Sequence, residues 1–391
     1  MRQVETHPSP TVQQVSDILP SGEPMLAVLA KRTYEVDAHG RCSPAGEQAP
    51  LFAAPLDDPE SPFLLAADTD LHPYKARTDV VLLGHAYGHK RVRRLDVVVR
   101  VAAHQHRIAV VGERTCSIGQ GGTIRFSDPR PLDKVPLSFA LAYGGRDRGA
   151  EARHGNPLKD PEWRQALGGV DPDAASPFLY PRNPAGRGYL VEVDGEDEFE
   201  LPQLEDPTDL LTPERLVCDW LENWHRMPLP HAGGWVQYNW YPRVGFTGLV
   251  PIVEQFDEPP LEVERGLVPE LLADGTGRTT FEFRYELACG APLGLQLPHL
   301  RGGEPVELHA VHPRRPRWTF TVPPAPRLAT DGREGRLNPT EPVLHTMVLE
   351  PDSDRLTVVW RGCAAAKRPY APRELETMPL RVDWRDGPGA R

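Results

Sequence analysis

Cysteine is scarce in this sequence: five stand among 391 residues, and no two are close enough to form a C-x-x-C pair. That excludes a zinc ribbon and a disulfide framework, and it predicts reduced thiols. Long apolar runs are missing too, and no stretch approaches the ~20 residues of a spanning helix. The polar start, residues 1–20, carries no apolar core of signal-peptide length, so a cytoplasmic location is expected, with or without export in a larger complex. Positive charge falls short, with 44 Lys and Arg against 55 Asp and Glu and a net charge of −11. That balance argues against nucleic acid and against anionic membranes as partners. The basic runs at 90–94 and 314–317 read as solvated loops or strand edges. Catalytic signatures are absent as well. There is no G-x-S-x-G elbow, H-E-x-x-H helix, phosphate loop or G-x-G-x-x-G turn. The glycines at 119–122 fit none of these spacings and read as a turn.

What the chain has in plenty is proline and glycine. The 44 prolines and 34 glycines are spread along the whole sequence, and together they are well above the ordinary share of about 12%. Between them lie short apolar or alternating segments. Period-two alternation at 25–36 predicts a strand, and β-branched residues at 78–87 predict another. Segments 95–101 and 107–111 read as a hairpin with a polar tip at 102–106. Strands are further expected at 137–143, 188–193, 235–240, 279–287, 305–311, 318–322, 343–349 and 355–360. The last two should form a hairpin about the turn residues 350–354. Prolines at 44–62 and in the long stretch 146–184 predict loops, and the acidic run 194–200 predicts a solvated turn. One helix is expected at 213–227, with Thr212 as its cap, Pro213 in its first turn and an apolar stripe through Leu216, Trp220 and Trp224.

These segments predict a mainly β fold, with antiparallel sheets in a sandwich- or barrel-like arrangement and few helices. The expected organisation is a loose N-terminal segment at 1–23 and a first β lobe at 24–204. The helix and a second lobe follow at 205–362, then an irregular tail at 363–391. Chemistry is harder to find. His104 and His106 share a side of an extended segment, with His85 and His89 nearby, yet no Cys or acidic cluster completes a metal site. Asp68 with Asp70, and Glu304 with Glu307, are the carboxylate pairs a glycoside hydrolase would need. A chain this acidic supplies such pairs by chance. No catalytic residue, metal or cofactor is therefore assigned.

Several segments in order carry a resemblance. They are DVVLLGHAY (79–87), LDVVVRV (95–101), VGER (111–114), PLSFALAYGG (136–145) and NPAGRG (183–188). PHLRGGEPVEL (298–308), His312-Pro313 and VWRG (359–362) complete the set. Together they resemble the effector-adaptor family found beside spike genes in bacterial type VI secretion clusters, whose domain carries the label of unknown function. The resemblance implies a cytoplasmic, chaperone-like adaptor without catalysis. Its partners would be a toxic effector and the spike protein at the needle tip. It leaves Tyr143, Asn183, Arg301 and Glu304 as the candidate protein-interaction residues. The chain departs from the family's pattern at 240–246 and 288–292, where a longer Pro- and Trp-rich stretch and an Asn-Ala-Ala-Pro-like element are usual. Two other classes stay open, a carbohydrate-active hydrolase on a β scaffold and a structural subunit of a secretion or phage-tail-like particle.

Overall fold

The computed structural model of the chain describes residues 3–18, 22–72, 74–156, 159–160, 176–195, 197–219, 221–247 and 285–385. It is mainly β, with curled antiparallel sheets that form a half-barrel. The largest sheet runs, neighbour by neighbour, through Gln3–Glu5, Leu380–Trp384, Arg327–Thr330, Asn338–Glu350, Arg355–Ala365, Pro24–Val36 and Val12–Ile18. Thr78–Leu82 joins it parallel to Asn338–Glu350, with Thr346 opposite Asp79. A five-stranded sheet has the order Leu204–Glu205, His104–Val111, Arg94–Val101, Pro305–His309, Arg317–Thr321. A three-stranded sheet, Thr123–Phe126, Thr115–Gly119 and Asp197–Glu200, lies apart from both.

Apolar periodicity explains how the two large sheets share one core. On Arg94–Val101, Val97, Val99 and Val101 point inward, and Val306 and Leu308 do the same on the neighbouring strand. They meet Val28, Ala30, Val358 and Trp360 of the large sheet in a single apolar cluster. Pro24–Val36 is covered on both faces, since Leu29 packs with Leu51 and Val359 on the side away from that core. A second cluster, including Cys116, Ile118, Tyr180 and Leu216, fills the space under the three-stranded sheet. Fully burying one large apolar side chain contributes roughly 1.5–3 kcal/mol, so these clusters supply the main driving force for the fold.

The structure corrects several sequence expectations. The helix expected at 213–227 is two 3-10 turns, Pro213–Arg215 and Leu221–Arg226. Between them Asp219 has φ of 66° and Val217 bridges Leu190, so the helical path is broken. Trp220 lies outside the described residues, and Trp224 is half-buried. At 78–87 one strand was expected and two are found, because the chain turns at Gly84, with φ of 140°, before His85–Val92. Segment 137–143 is mostly a 3-10 turn, Phe139–Leu141, which the Ser138 hydroxyl caps by accepting from the Ala140 amide. At 188–193 only Gly188 is in a strand, paired through Arg187–Gly188. Residues 235–240 are irregular with a turn at 238–239, and of 279–287 only residues 285–287, within the 3-10 turn Tyr285–Ala288, are described.

Segments expected to be irregular hold elements instead. Leu56–Asp58 and Ser61–Ala67 pair where a proline loop was predicted, and Arg148–His154 is an α-helix within the long loop. Asp197–Glu200 is a strand rather than a turn. The loose start contains Gln3–Glu5 and Val12–Ile18. The expected tail is ordered through Ala365, a short helix Pro372–Leu375 and the buried strand Leu380–Trp384. That last strand closes the large sheet against residues 3–5.

Candidate functional site

Two of the sequence motifs meet in a tight backbone crossing. Tyr143–Gly144 runs parallel to Arg187–Gly188. The Gly145 amide donates to the Asn183 carbonyl at 2.9 Å, and the Tyr189 amide to the Gly144 carbonyl at 2.9 Å. Asn183 is fully buried, and its Nδ2 donates to the carbonyls of Phe139 (2.9 Å) and Tyr143 (3.0 Å). Glycine is required at 144 for two reasons. Its φ is 149°, and a Cβ there would overlap the Asn183 carbonyl oxygen. Tyr143 is buried against Tyr180, with ring centroids 5.2 Å apart and edge to face, and burial holds its phenol well above its ordinary pKa. Both residues therefore support a surface from beneath and do not form it.

Above this crossing opens a groove of about 620 Å³. One wall carries Phe63, an exposed apolar ring on the Ser61–Ala67 strand, and another carries Arg148 at the start of the Arg148–His154 helix. Phe199 and Arg187 close it on the side of the three-stranded sheet. The Asp147 carboxylate fixes the helix, accepting from the Ala150 amide and, through its other oxygen, from the Val191 amide, each at 2.8 Å. Charges in the walls are mostly paired: Arg146 with Glu151, and Arg187 with Glu200. The result is a groove with mixed apolar and charged walls. Such a groove suits an extended or helical segment of another protein better than a small polar molecule.

Arg301 and Glu304 lie elsewhere and do not line the groove. The Glu304 carboxylate accepts from the amides of Arg301 (2.7 Å) and Gly302 (2.9 Å), fixing the turn before Pro305–His309. Exposed Arg301 pairs with Glu341 at 2.6 Å. Of the four candidates, then, the fold brings Tyr143 and Asn183 together and leaves Arg301 and Glu304 as a separate surface turn. Sequence reading missed Phe63 and Arg148, because nothing local distinguishes one exposed ring or one helix-start arginine from others.

Several of the other candidate ionisable groups settle into ion pairs. Asp68 pairs with Arg243, and Asp70 with Lys31 at 2.7 Å, so this carboxylate pair is divided between two cations. Glu307 meets Arg317, His309 and Arg100. His85 pairs with Asp352 at 2.6 Å, while His104 is exposed. Among the described residues, no group of three or more His, Cys, Asp and Glu side chains could hold a metal ion. No helix among them is long and apolar enough to cross a membrane.

Burial, with neighbouring charge, depresses three half-buried histidines: His72 and His299 to about 4, and His106 to about 3. Unfolded histidine takes its proton near 6.5. Their contribution to stability is therefore complete above that pH and is lost as pH falls from about 6.5 toward 4. A loss on the order of 1 kcal/mol per histidine is expected at pH 5 relative to pH 7.5. Urea unfolding at the two pH values measures it, and equal midpoints would contradict neutral burial.

The family described as "Uncharacterized protein conserved in bacteria (DUF2169)" matches residues 21–158 and 161–361, most of the chain. No curated protein and no solved structure matches it.

Proposed function

The chain belongs to this bacterial family, and from that premise we propose that it is an adaptor of type VI secretion. It binds an effector protein in the cytoplasm and helps load it onto the spike protein. The reading rests on one observation above others. The motifs PLSFALAYGG and NPAGRG, which carry the resemblance to effector adaptors, together build the floor of the open groove. A groove with a rigid base and one exposed aromatic on its rim is the kind of surface on which a few central residues carry most of the binding energy. Phe63 would supply the apolar anchor, and Arg148 would steer an acidic group of the effector. The work done is recognition and protection of the cargo, with no bond made or broken.

A tagged pull-down from the native cell, read by mass spectrometry, tests this. The wild-type chain should recover one toxin-like protein and a spike protein at near-stoichiometric levels. Phe63→Glu and Arg148→Glu should each reduce effector recovery roughly tenfold, while the fold, checked by circular dichroism, stays intact. Absence of both partners from the wild-type sample, in cells that express them, would end the adaptor reading. Unchanged recovery by both variants would move the binding surface away from this groove.

A further inference from the structure

The wall of the groove that carries Phe63 is the edge of a small sheet. Ser61–Ala67 is seven residues long, and Leu56–Asp58, the strand it pairs with, only three. The register sets Ser61, Leu65 and Ala67 opposite that partner and leaves Phe63, Leu64 and Ala66 with no residue across from them. Among the described residues no further strand pairs with Ser61–Ala67, and no backbone group outside the hairpin bonds to it. Along an unpaired edge a strand presents N–H and C=O groups in alternation, and these are the groups that take up another extended chain.

Proteins that avoid such pairing set charge or proline along the edge. Here Pro62 withholds one donor near the start, and no charged residue stands between 61 and 67. Phe63 and Leu65 fall on one face of the strand. Leu65 is 6% exposed within the main core, whereas Phe63 is 39% exposed. The apolar face therefore runs on past its own cover, and it does so where it borders the groove. A chain laid along this edge would bond the strand and bring an apolar side chain against Phe63. Charge at the rim sets the polarity of that chain. Glu60, at the hairpin tip, and Arg148, in the groove wall, are both exposed and have no ion pair among the described residues. The groove's other arginines, Arg146 and Arg187, are already paired. A second edge, Asp197–Glu200, also borders the groove. It is only four residues long, three of them acidic, and the Asp197 carboxylate already accepts from the Glu198 amide at 2.8 Å.

We propose that Ser61–Ala67 takes up an extended segment of a partner protein as an added strand. The segment is apolar where it passes Phe63, and it carries a basic residue for Glu60 and a carboxylate for Arg148. The inference rests on the groove reading above for the identity of the partner, the effector, and it adds the backbone mode of binding.

Random peptides of about a dozen residues, longer than an ordinary strand, displayed on phage and selected against the purified full chain, test it. Peptides of the stated pattern should be enriched, and in hydrogen exchange the synthetic peptide should protect the amides of 61–67. Only alternate N–H groups of an added strand face its host. N-methylation of every second residue in one phase should therefore weaken binding at least roughly tenfold, and in the other phase leave it nearly unchanged. Glu60→Gln and Arg148→Gln should each weaken it by roughly threefold. The decisive comparison alters the peptide and not the protein, so misfolding of a variant cannot mimic it. Failure to enrich any peptide would overturn the proposal, as would protection at 197–200 or elsewhere in place of 61–67, or equal tolerance of N-methylation in both phases. Peptides that bind in this way while the pull-down returns neither partner would uphold the edge as a strand-binding site and refute the adaptor reading alone.

Discussion

Replacing Gly144 by alanine should cost about 3 kcal/mol or more and should remove effector recovery together with the groove. Two penalties combine. An L-residue at a φ of 149° is strained by about 1–3 kcal/mol, and the new methyl must push the Asn183 carbonyl aside in a closely packed crossing, for a further ~1–3 kcal/mol. Gly121 provides the control. It too has a positive φ, 74°, but a Cβ there meets nothing within 4 Å. Gly121→Ala should therefore show dihedral strain alone, about 1 kcal/mol. Asn183→Ala complements both, because it takes the side-chain donor from the Tyr143 carbonyl and leaves the Phe139 carbonyl only the Ala142 amide, at about 1–3 kcal/mol. Urea unfolding followed by tryptophan fluorescence separates the three. If Gly144→Ala were no worse than Gly121→Ala, the crossing would not be the rigid base described above.

The second large effect belongs to Lys75. Its ammonium lies 2.6 Å from the Asp79 carboxylate, and both side chains are wholly shielded from solvent. Asp79 also accepts from the amides of Gly290 (2.8 Å) and Ala291 (3.2 Å), so the pair fastens the 288–291 segment to the parallel strand Thr78–Leu82. Lys75→Met leaves an uncompensated buried carboxylate and should lower stability by about 3–5 kcal/mol. The double variant Lys75→Met, Asp79→Asn carries no charge at this pair, and its amide oxygen still accepts from one backbone N–H. It should recover roughly half of that loss. Equal instability of single and double variants would mean that the pair's geometry, not its charge balance, is what the fold needs.

The contrast between strands and sites shows what the sequence made legible. Strong alternation or β-branched runs placed Pro24–Val36, the Arg94–Val111 region, Pro305–His309, Arg317–Thr321 and the Asn338–Ala365 hairpin, because period two is a local property that burial on one face enforces. The 213–227 stripe misled for the same reason in reverse. Apolar spacing there satisfies two short turns packed under Tyr180 and Tyr189, and a single residue at φ of 66° redirects the chain. Leu380–Trp384 was unreadable as a strand because it is short and its partner Gln3–Glu5 stands at the other end of the chain. The groove was half legible. Its floor lay in two recognisable motifs, but Phe63 and Arg148 are set beside them only by tertiary packing. Nothing at i, i+4 in a non-helical segment marks Lys75 and Asp79 as partners, so the ionic core had no sequence signal at all.

The pairing of remote strands has a consequence for how the chain comes into being. Pro24–Val36 finds its long partner only in Arg355–Ala365, and Gln3–Glu5 finds its own in Leu380–Trp384. Val12–Ile18 can cover one edge of the apolar stretch from Met25 to Ala30 at once, but at roughly 5–20 residues per second of synthesis its other edge waits about 15–65 seconds before Arg355–Ala365 leaves the ribosome. During that interval it is an unpaired β-edge in a crowded cell, the kind of surface that aggregates. The large sheet is thus completed only after residue 384 has been made, and a nascent chain arrested before residue 355 should be held by cellular chaperones, whereas the released chain should not.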